Sequence, residues 1–242
     1  MFVARLLIVP RLNRIFPSVF LVSFFGLSAY GETFYDPARA RSPSQQKADC
    51  LDQTLNLAQT YFDGIGDLSA DFIQENWNVA LGEVGSKSVS SGAFKFSEPK
   101  SVRWEYFTPD PGLVVSDGEK TWIFDLANKE VQVLPGKGGG LSGGVLDFLL
   151  NGSDLREEFG LEVEDCGSPV VSLFLAPGEE SLFERAKLRI NSRTGHISET
   201  EIIDPFGNRT RIKFSNVQTD QGLEESLFKF RISEDMRVLK IP

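Results

Sequence analysis

The sequence is poor in the residues that enzyme and metal sites need. It contains one histidine, His196, and two cysteines, and it has no G-x-S-x-G motif for a nucleophilic serine. One histidine without cysteine or acidic neighbours at ligand spacing cannot complete a zinc site, and a serine triad needs a positioned serine. We therefore expect no enzyme activity, cofactor or metal, and we interpret His196 as an exposed residue of a hairpin turn. A hydrolase that uses Asp or Glu is the alternative from another class, but no particular carboxylate stands out.

Positive charge is also scarce. The chain has 34 Asp and Glu residues against 25 Lys and Arg residues, which gives a formal net charge of -9. A surface that binds nucleic acid needs clustered Lys and Arg to neutralise phosphates. The sequence has no such cluster, so we expect no nucleic-acid partner.

Long hydrophobic runs are absent, and the apolar stretch near the N-terminus has the features of a signal peptide. Three arginines precede the run Val19–Leu27, and small residues follow it at Ala29 and Gly31. A run of this length is too short to cross a bilayer, which takes about 20 apolar residues. The pattern predicts a signal peptide over residues 1–31 that is removed on export; an N-terminal membrane anchor is the alternative. No second stretch of this kind follows, so we expect the exported chain to be soluble.

Two cysteines, Cys50 and Cys166, remain after such a cleavage. In an oxidising compartment they are a candidate disulfide, which would join an N-terminal helix to a strand far along the chain. Two free thiols are the alternative, because a disulfide needs Cα atoms within about 7 Å and the sequence gives no distance.

The rest of the chain is organised as a leader, a helix and a series of strands. Residues 32–48 mix Pro, Ser and charge without a period and are predicted to form a disordered leader. Asp49 is placed to cap a helix that runs from about Cys50 to Phe62. Beyond the helix, apolar and polar residues alternate, as at 102–106, with turn signals between the runs. This pattern predicts a mainly β fold of about eleven short strands in a meandering antiparallel sheet, curled or closed into a barrel.

One segment interrupts the strand pattern. The glycine-rich stretch 136–140 leads into the apolar stretch 141–150, which suits a short helix. An apolar helix on a glycine-rich tether is a candidate lid for the sheet.

Aromatic residues are the abundant feature, with 20 Phe and 3 Trp in the chain. The inner face of a curled sheet either fills with side chains or encloses a ligand. Periodicity does not distinguish a packed interior from a cavity for acyl chains, so both interpretations stay open at this point.

A specific series of residues follows the predicted helix, between Leu68 and Asp125. In order, the series contains Phe72, Gln74, Gly92, Phe96, Pro99, Trp104, Tyr106, Pro109, the turn Val114–Gly118 and Trp122. Taken in this order, these residues resemble the LolA family, and Ile190–Glu201 extends a weaker resemblance into the second half. The resemblance covers the chain roughly from Cys50 to the C-terminus.

The resemblance implies a fold, a function and a set of partners. The fold is an incomplete, half-open antiparallel β-barrel with an N-terminal helix and a short helical lid over a hydrophobic cavity, formed by a carrier domain over residues 49–242. The function is that of a periplasmic carrier, acting as a monomer, which binds the acyl chains of lipoproteins and delivers them to the outer membrane. An inner-membrane ABC transporter is the implied donor, and whether an outer-membrane receptor exists stays open. A lipid-binding or lipoprotein-sensing module of the same fold is the alternative function.

Site residues follow from the aromatic strand faces and the apolar helix together with the resemblance, which itself implies Val102, Trp104 and Tyr106 for the cavity and Leu146 and Leu149 for the lid. The predicted acyl-chain cavity consists of Phe72, Phe94, Phe96, Val102, Trp104, Tyr106, Trp122 and Phe124, and the predicted lid contains Leu146, Phe148 and Leu149. One position departs from the family: Glu98 stands before Pro99, where family members carry an arginine that holds the lid shut. Lys100 or Arg103 taking over that latch is a hypothesis.

Overall fold

The computed structural model describes residues 41–81, 87–135, 155–178 and 183–240. In these residues one long helix packs on a large open sheet. The helices are α1 (Pro43–Asp63) and a single turn, α2 (Leu155–Glu158). The strands are β1 (Asp67–Trp77), β2 (Lys87–Ser97), β3 (Ser101–Thr108), β4 (Gly112–Ser116), β5 (Lys120–Asp125), β6 (Glu130–Pro135), β7 (Phe159–Glu164), β8 (Val170–Pro177), β9 (Arg185–Asn191), β10 (Ile197–Ile203), β11 (Arg209–Thr219) and β12 (Arg237–Lys240). The predicted signal peptide and the predicted lid residues Leu146, Phe148 and Leu149 lie outside the described residues.

The N-terminal helix begins earlier than the sequence predicts. Ser42 caps α1 by accepting a hydrogen bond from the backbone N–H of Gln45 at 3.2 Å, and Pro43 takes a position at the start of a helix, where its missing N–H costs nothing. The predicted start at Cys50 was therefore wrong, and the last part of the segment predicted as a disordered leader is helical. The first turn consists of exposed polar residues, so the spacing of apolar residues does not reveal it. The Ser42-Pro43 pair is nevertheless a typical helix start.

The sheet has the strand order β12-β6-β5-β4-β3-β2-β1-β11-β10-β9-β8-β7. Neighbouring strands from β6 round to β7 pair antiparallel, and the sheet is open between β12 and β7. This confirms the mainly β, incompletely closed architecture, with twelve strands where about eleven were predicted. The extra strand differs in direction, because β12 pairs parallel with β6.

The two faces of the sheet follow the period-two rule of a strand. In β1, Leu68, Ala70 and Phe72 are buried while Asp71 and Ile73 are exposed. The buried set lies on the face against which α1 packs, which we call the inner face. Burying a large apolar side chain contributes about 1.5–3 kcal/mol, so the inner face is the main source of stability.

Helix α1 is attached to that face by apolar contacts and by a covalent bond. Leu55, Ala58 and Phe62 are buried in the main core. Cys50 is bonded to Cys166, which lies in the turn between β7 and β8, with a Cα–Cα distance of 6.2 Å and a separation of 116 residues. The helix is therefore held in its first half by the disulfide and at its C-terminal end by the short connection to β1.

Candidate functional site

Five aromatic rings form a cluster on the inner face, at the centre of the sheet. The Trp104 indole lies 4.5 Å from the Phe94 ring, 5.0 Å from Phe72 and 6.1 Å from Phe214, measured between centroids, and Phe72 lies 5.1 Å from Tyr106. Cross-strand register places them together, since Phe94 pairs with Trp104 and Phe72 pairs with Phe214. Tilted and edge-to-face rings at these separations attract one another beyond their burial. We call these five residues the aromatic cluster.

Gly92 is what allows the cluster to pack against β2. A Cβ atom at this position would lie 1.9 Å from the Glu105 carbonyl oxygen and 2.8 Å from the Phe72 ring. The Phe72 ring therefore rests directly on the Gly92 backbone. The series that suggested the family includes this glycine, and its structural reason is this close approach.

The predicted cavity residues divide into two groups according to the sheet register. Six of them lie on the inner face: Phe72, Phe94, Phe96, Val102, Trp104 and Tyr106. Trp122 and Phe124 lie on the opposite face, because they pair with Val115 and Leu113, which alternate with the inward-pointing Val114. Their assignment to the cavity is corrected here.

Residues 220–236, between β11 and β12, cover Trp122 and Phe124 and are called the C-terminal segment. The Phe230 ring lies 6.3 Å from Trp122 and 5.5 Å from Phe124, and Phe228 is buried in a 3₁₀ turn that contacts β3. These residues form a second, smaller core on the outside of the sheet. The two aromatic residues therefore contribute to stability and do not line the interior.

Arg103 lies beside this second core. Its guanidinium donates to the Leu227 carbonyl oxygen at 3.2 Å and pairs with Glu105 at 3.1 Å. Register places Arg103 on the face opposite the aromatic cluster. The Arg103 side chain fastens the C-terminal segment, while the predicted lid lies outside the described residues, so a latch formed by Lys100 or Arg103 stays a hypothesis. Glu98, which departs from the family, is exposed in the turn between β2 and β3.

A small apolar gap separates α1 from the sheet beside the aromatic cluster. Its volume is about 30 Å³, and its walls are Tyr61, Phe62, Leu68, Ala70, Phe94, His196, Ile197, Phe214 and Val217. A gap of this size holds roughly one or two water molecules. Among the described residues, the space between α1 and the inner face is largely filled by the protein's own side chains.

His196 closes one side of this gap. Its ring lies 5.7 Å from the Tyr61 ring and is half-buried, and this burial lowers the pKa of the imidazole. The turn that carries it is pressed on α1, since a Cβ atom at Gly195 would lie 2.0 Å from the Leu57 carbonyl oxygen. The interpretation of His196 as an exposed residue was wrong, because the sequence does not reveal that the helix covers this turn.

The polar edge of the aromatic cluster lies at Tyr106. Its hydroxyl donates to the Gln74 side-chain oxygen at 3.0 Å, and burial raises the pKa of the phenol. Gln74 donates in turn to Asn76 at 3.1 Å. The interior is therefore apolar at its centre and becomes polar toward the end of β1.

The described residues contain neither a candidate membrane-spanning helix nor a candidate metal site. No helix in these segments is both long and apolar enough to cross a membrane. In the same segments, His, Cys, Asp and Glu residues form no group of three or more that could hold a metal ion.

Comparisons with known proteins agree with the resemblance. A family model described as outer membrane lipoprotein carrier protein LolA matches residues 63–231. An outer-membrane lipoprotein carrier protein from Methylibium petroleiphilum is 34% identical over 145 residues, which cover 60% of this chain and 70% of that protein. The protein of the same name from Azotobacter vinelandii is 28% identical over 214 residues, which cover 84% of this chain and 91% of the relative.

Solved structures give weaker matches. An uncharacterised conserved protein from Thermus thermophilus aligns with a TM-score of 0.48 at 12% identity, covering 83% of this chain and 100% of the other. A LolA superfamily protein from Nitrosomonas europaea aligns with a TM-score of 0.43 at 9% identity, covering 74% and 97%. The sequence match is the decisive one: because the family model spans well over half of the chain, this protein belongs to the LolA family of outer membrane lipoprotein carrier proteins.

Proposed function

We propose that this protein is a periplasmic carrier that binds the acyl chains of lipoproteins and moves them toward the outer membrane. The observation that carries the proposal is the family match over residues 63–231, which spans the strands that form the aromatic cluster. An inner-membrane ABC transporter is the proposed donor of the cargo. The protein acts by binding and release, without a catalytic step.

Acyl chains bind between α1 and the inner face. The gap of about 30 Å³ is too small for a chain, so cargo has to separate the helix from the sheet. The half-buried side chains of Tyr61, Phe214 and Val217 move aside to admit the chain. The buried side chains of Phe94 and Trp104 form the surface on which it rests. Each acyl methylene removed from water contributes about 0.8 kcal/mol.

Opening costs little net apolar burial, because the cargo replaces the contacts that the helix gives up. When Phe62 and Leu55 move away from the sheet, the acyl chain contacts the sheet side chains that they had covered. Two states of similar free energy suit a carrier, which has to release what it binds. The tether at Cys50 and the continuation into β1 limit how far α1 moves, so it can shift without detaching.

The lid is a separate part of the proposal. Leu146, Phe148 and Leu149 lie outside the described residues and stay predicted contributors to the closed state. The test below does not depend on them.

The experiment is native mass spectrometry of the protein purified from periplasm after co-expression with a triacylated lipoprotein. Phe214→Ser removes a half-buried ring from the wall of the gap, and Phe124→Ser removes a half-buried ring from the opposite face as the matched control. We expect a one-to-one complex for the wild type and for Phe124→Ser, and a loss of most of it for Phe214→Ser. A wild type that carries only free phospholipid would instead favour a lipid-binding or sensing module of this fold.

A further inference from the structure

The connections at the two ends of the sheet differ in composition. Because the strands are antiparallel, the β1–β2, β3–β4, β5–β6 and β10–β11 connections lie at one end. Leu81, Leu126 and Phe206 lie in these connections and are 65%, 46% and 82% exposed, and Phe107, which is 52% exposed, lies at the end of β3 just before its connection. We call these four residues the apolar tips.

The opposite end has no counterpart among the described residues. Its connections are 64–66, 98–100, 117–119, 165–169 and 192–196. The large apolar residue Ile65 is buried there, and the described residues of these connections include no exposed large hydrophobic side chain. Singly exposed apolar residues are ordinary on a protein surface, but four at neighbouring positions along one end of the sheet form an apolar surface of their own. The segment that follows β6 at the other end lies outside the described residues.

The tips are held in place by side-chain hydrogen bonds within their turns. Asp204 accepts from the backbone N–H groups of Phe206 at 2.8 Å and Asn208 at 2.9 Å. The Asn208 side-chain oxygen accepts from the Val79 N–H at 3.1 Å, which ties the turn of Phe206 to the 3₁₀ turn Val79–Leu81. Preformed turns lose little conformational freedom when their tips enter a new environment.

A cavity opens between two of the tips. Its volume is about 430 Å³, and it is lined by Glu105, Tyr106, Phe107, Pro111, Gly112, Leu113, Phe124, Leu126 and Phe230. The walls are mostly apolar, so this part of the end has unfilled apolar surface beside Phe107 and Leu126.

Several cationic side chains at this end are engaged by other side chains of the protein. Lys87 pairs with Glu75, Lys129 with Asp235 at 2.7 Å, and Arg237 with Glu130. The Lys129 ammonium lowers the pKa of Asp235 to about 2, so both members of that pair stay charged at neutral pH. Arg209 stacks 3.8 Å over the half-buried Trp77 ring.

We propose that the apolar tips dock the protein on the surface of a zwitterionic phospholipid bilayer. Separate apolar side chains fit an interface made of mobile chains, which adapts to the position of each tip. Because Lys87, Lys129 and Arg237 are already in ion pairs, this end offers little attraction to an anionic surface, and a zwitterionic one fits it better. Arg209 on Trp77 is the kind of aromatic and cationic pair that sits at headgroup level. The docking adds to the proposed carrier function a surface that approaches the membrane, distinct from the acyl-chain site.

The test is flotation of the full protein with phosphatidylcholine vesicles that contain no lipoprotein. The double variant Leu81→Ser with Phe206→Ser removes two tips, and Ile73→Ser removes an exposed apolar side chain (48% exposed) from the middle of β1 as a matched control. We expect the wild type and the control to float, and the double variant to bind about tenfold less strongly. Raising the salt concentration should leave the binding unchanged, because it does not depend on net charge.

Three outcomes would overturn the docking proposal. The first is a wild type that does not float, and the second is a double variant that floats as well as the wild type. The third is a double variant that still floats but fails to transfer cargo to a purified protein acceptor, which would make a protein the occupant of this surface. Binding of a soluble lipopeptide by each variant is measured in parallel. Retained lipopeptide binding together with lost flotation separates this surface from the acyl-chain site, whose own failure would instead remove lipopeptide binding.

Discussion

Breaking the bond between Cys50 and Cys166 should lower stability by an amount set mainly by the length of chain that it closes. The two cysteines are 116 residues apart. The loop-closure relation gives about 5 kcal/mol for a loop of this length, and measured values for disulfides are typically about 2–4 kcal/mol. We therefore expect Cys50→Ser with Cys166→Ser to lose about 2–5 kcal/mol of unfolding free energy.

Urea unfolding of the oxidised wild type, the reduced wild type and the double variant measures this loss. The reduced wild type should match the double variant, because both lack the cross-link. A loss below about 1 kcal/mol in both would refute the reasoning, since the constraint on the unfolded chain is the larger part of the effect.

The same perturbation has a local consequence at α1. Without the disulfide, the first half of the helix keeps an ion pair between Asp52 and Arg156 at 3.3 Å, and an exposed pair of this kind contributes about 0–1 kcal/mol. Hydrogen exchange should therefore accelerate in the first half of α1, with less effect around Phe62, which stays in the main core. Equal protection along α1 before and after reduction would show that the bond does not hold the helix.

Three further predictions concern stability. Gly92→Ala places a methyl group 1.9 Å from the Glu105 carbonyl oxygen and 2.8 Å from the Phe72 ring, so the backbone has to shift and the change should cost at least about 1–3 kcal/mol in thermal unfolding; an unchanged midpoint would contradict the close packing. Burial raises the pKa of Asp67, but three backbone N–H donors outweigh it and leave the pKa below its ordinary 3.8. This carboxylate therefore stabilises the fold above about pH 4 and loses that effect as pH falls through the lowered pKa. Asp67→Asn should make the free energy of unfolding fall less steeply between neutral and acid pH. An equally steep fall in the variant and the wild type would contradict this. Phe228→Ala should cost about 3–5 kcal/mol and expose the C-terminal segment to limited proteolysis; wild-type resistance would contradict the second core.

The fold and part of the site could be predicted from the sequence because apolar and polar residues alternate along several strands. In β1 to β3 the inward residues are aromatic and their neighbours are polar, so Phe72, Phe94 and Trp104 could be assigned to one face. In β4 and β5 the contrast disappears: Val114 and Val115 are both apolar, and both faces of these strands are covered.

Period two therefore identifies which residues of a strand share a face, but not which face of the sheet that is. The register between β3, β4 and β5 places Trp122 on the outside, under the C-terminal segment. That segment is distant in sequence, and its covering of the sheet leaves no local signal. Tyr61 and His196 were missed as walls of the gap for a similar reason, since the contact between α1 and the β9–β10 turn is a tertiary one.

The central claim is that acyl chains enter between α1 and the inner face, and the three tryptophans allow a direct test. Trp104 belongs to the aromatic cluster, whereas Trp77 and Trp122 lie on the opposite face. Variants that keep one tryptophan each, with the others changed to Phe, are titrated with a lipopeptide whose acyl chains carry bromine, a contact quencher of indole fluorescence. The account predicts strong quenching in the variant that keeps Trp104 and little in the other two; quenching of Trp122 with Trp104 unaffected would place the acyl chains on the wrong side of the sheet and contradict it.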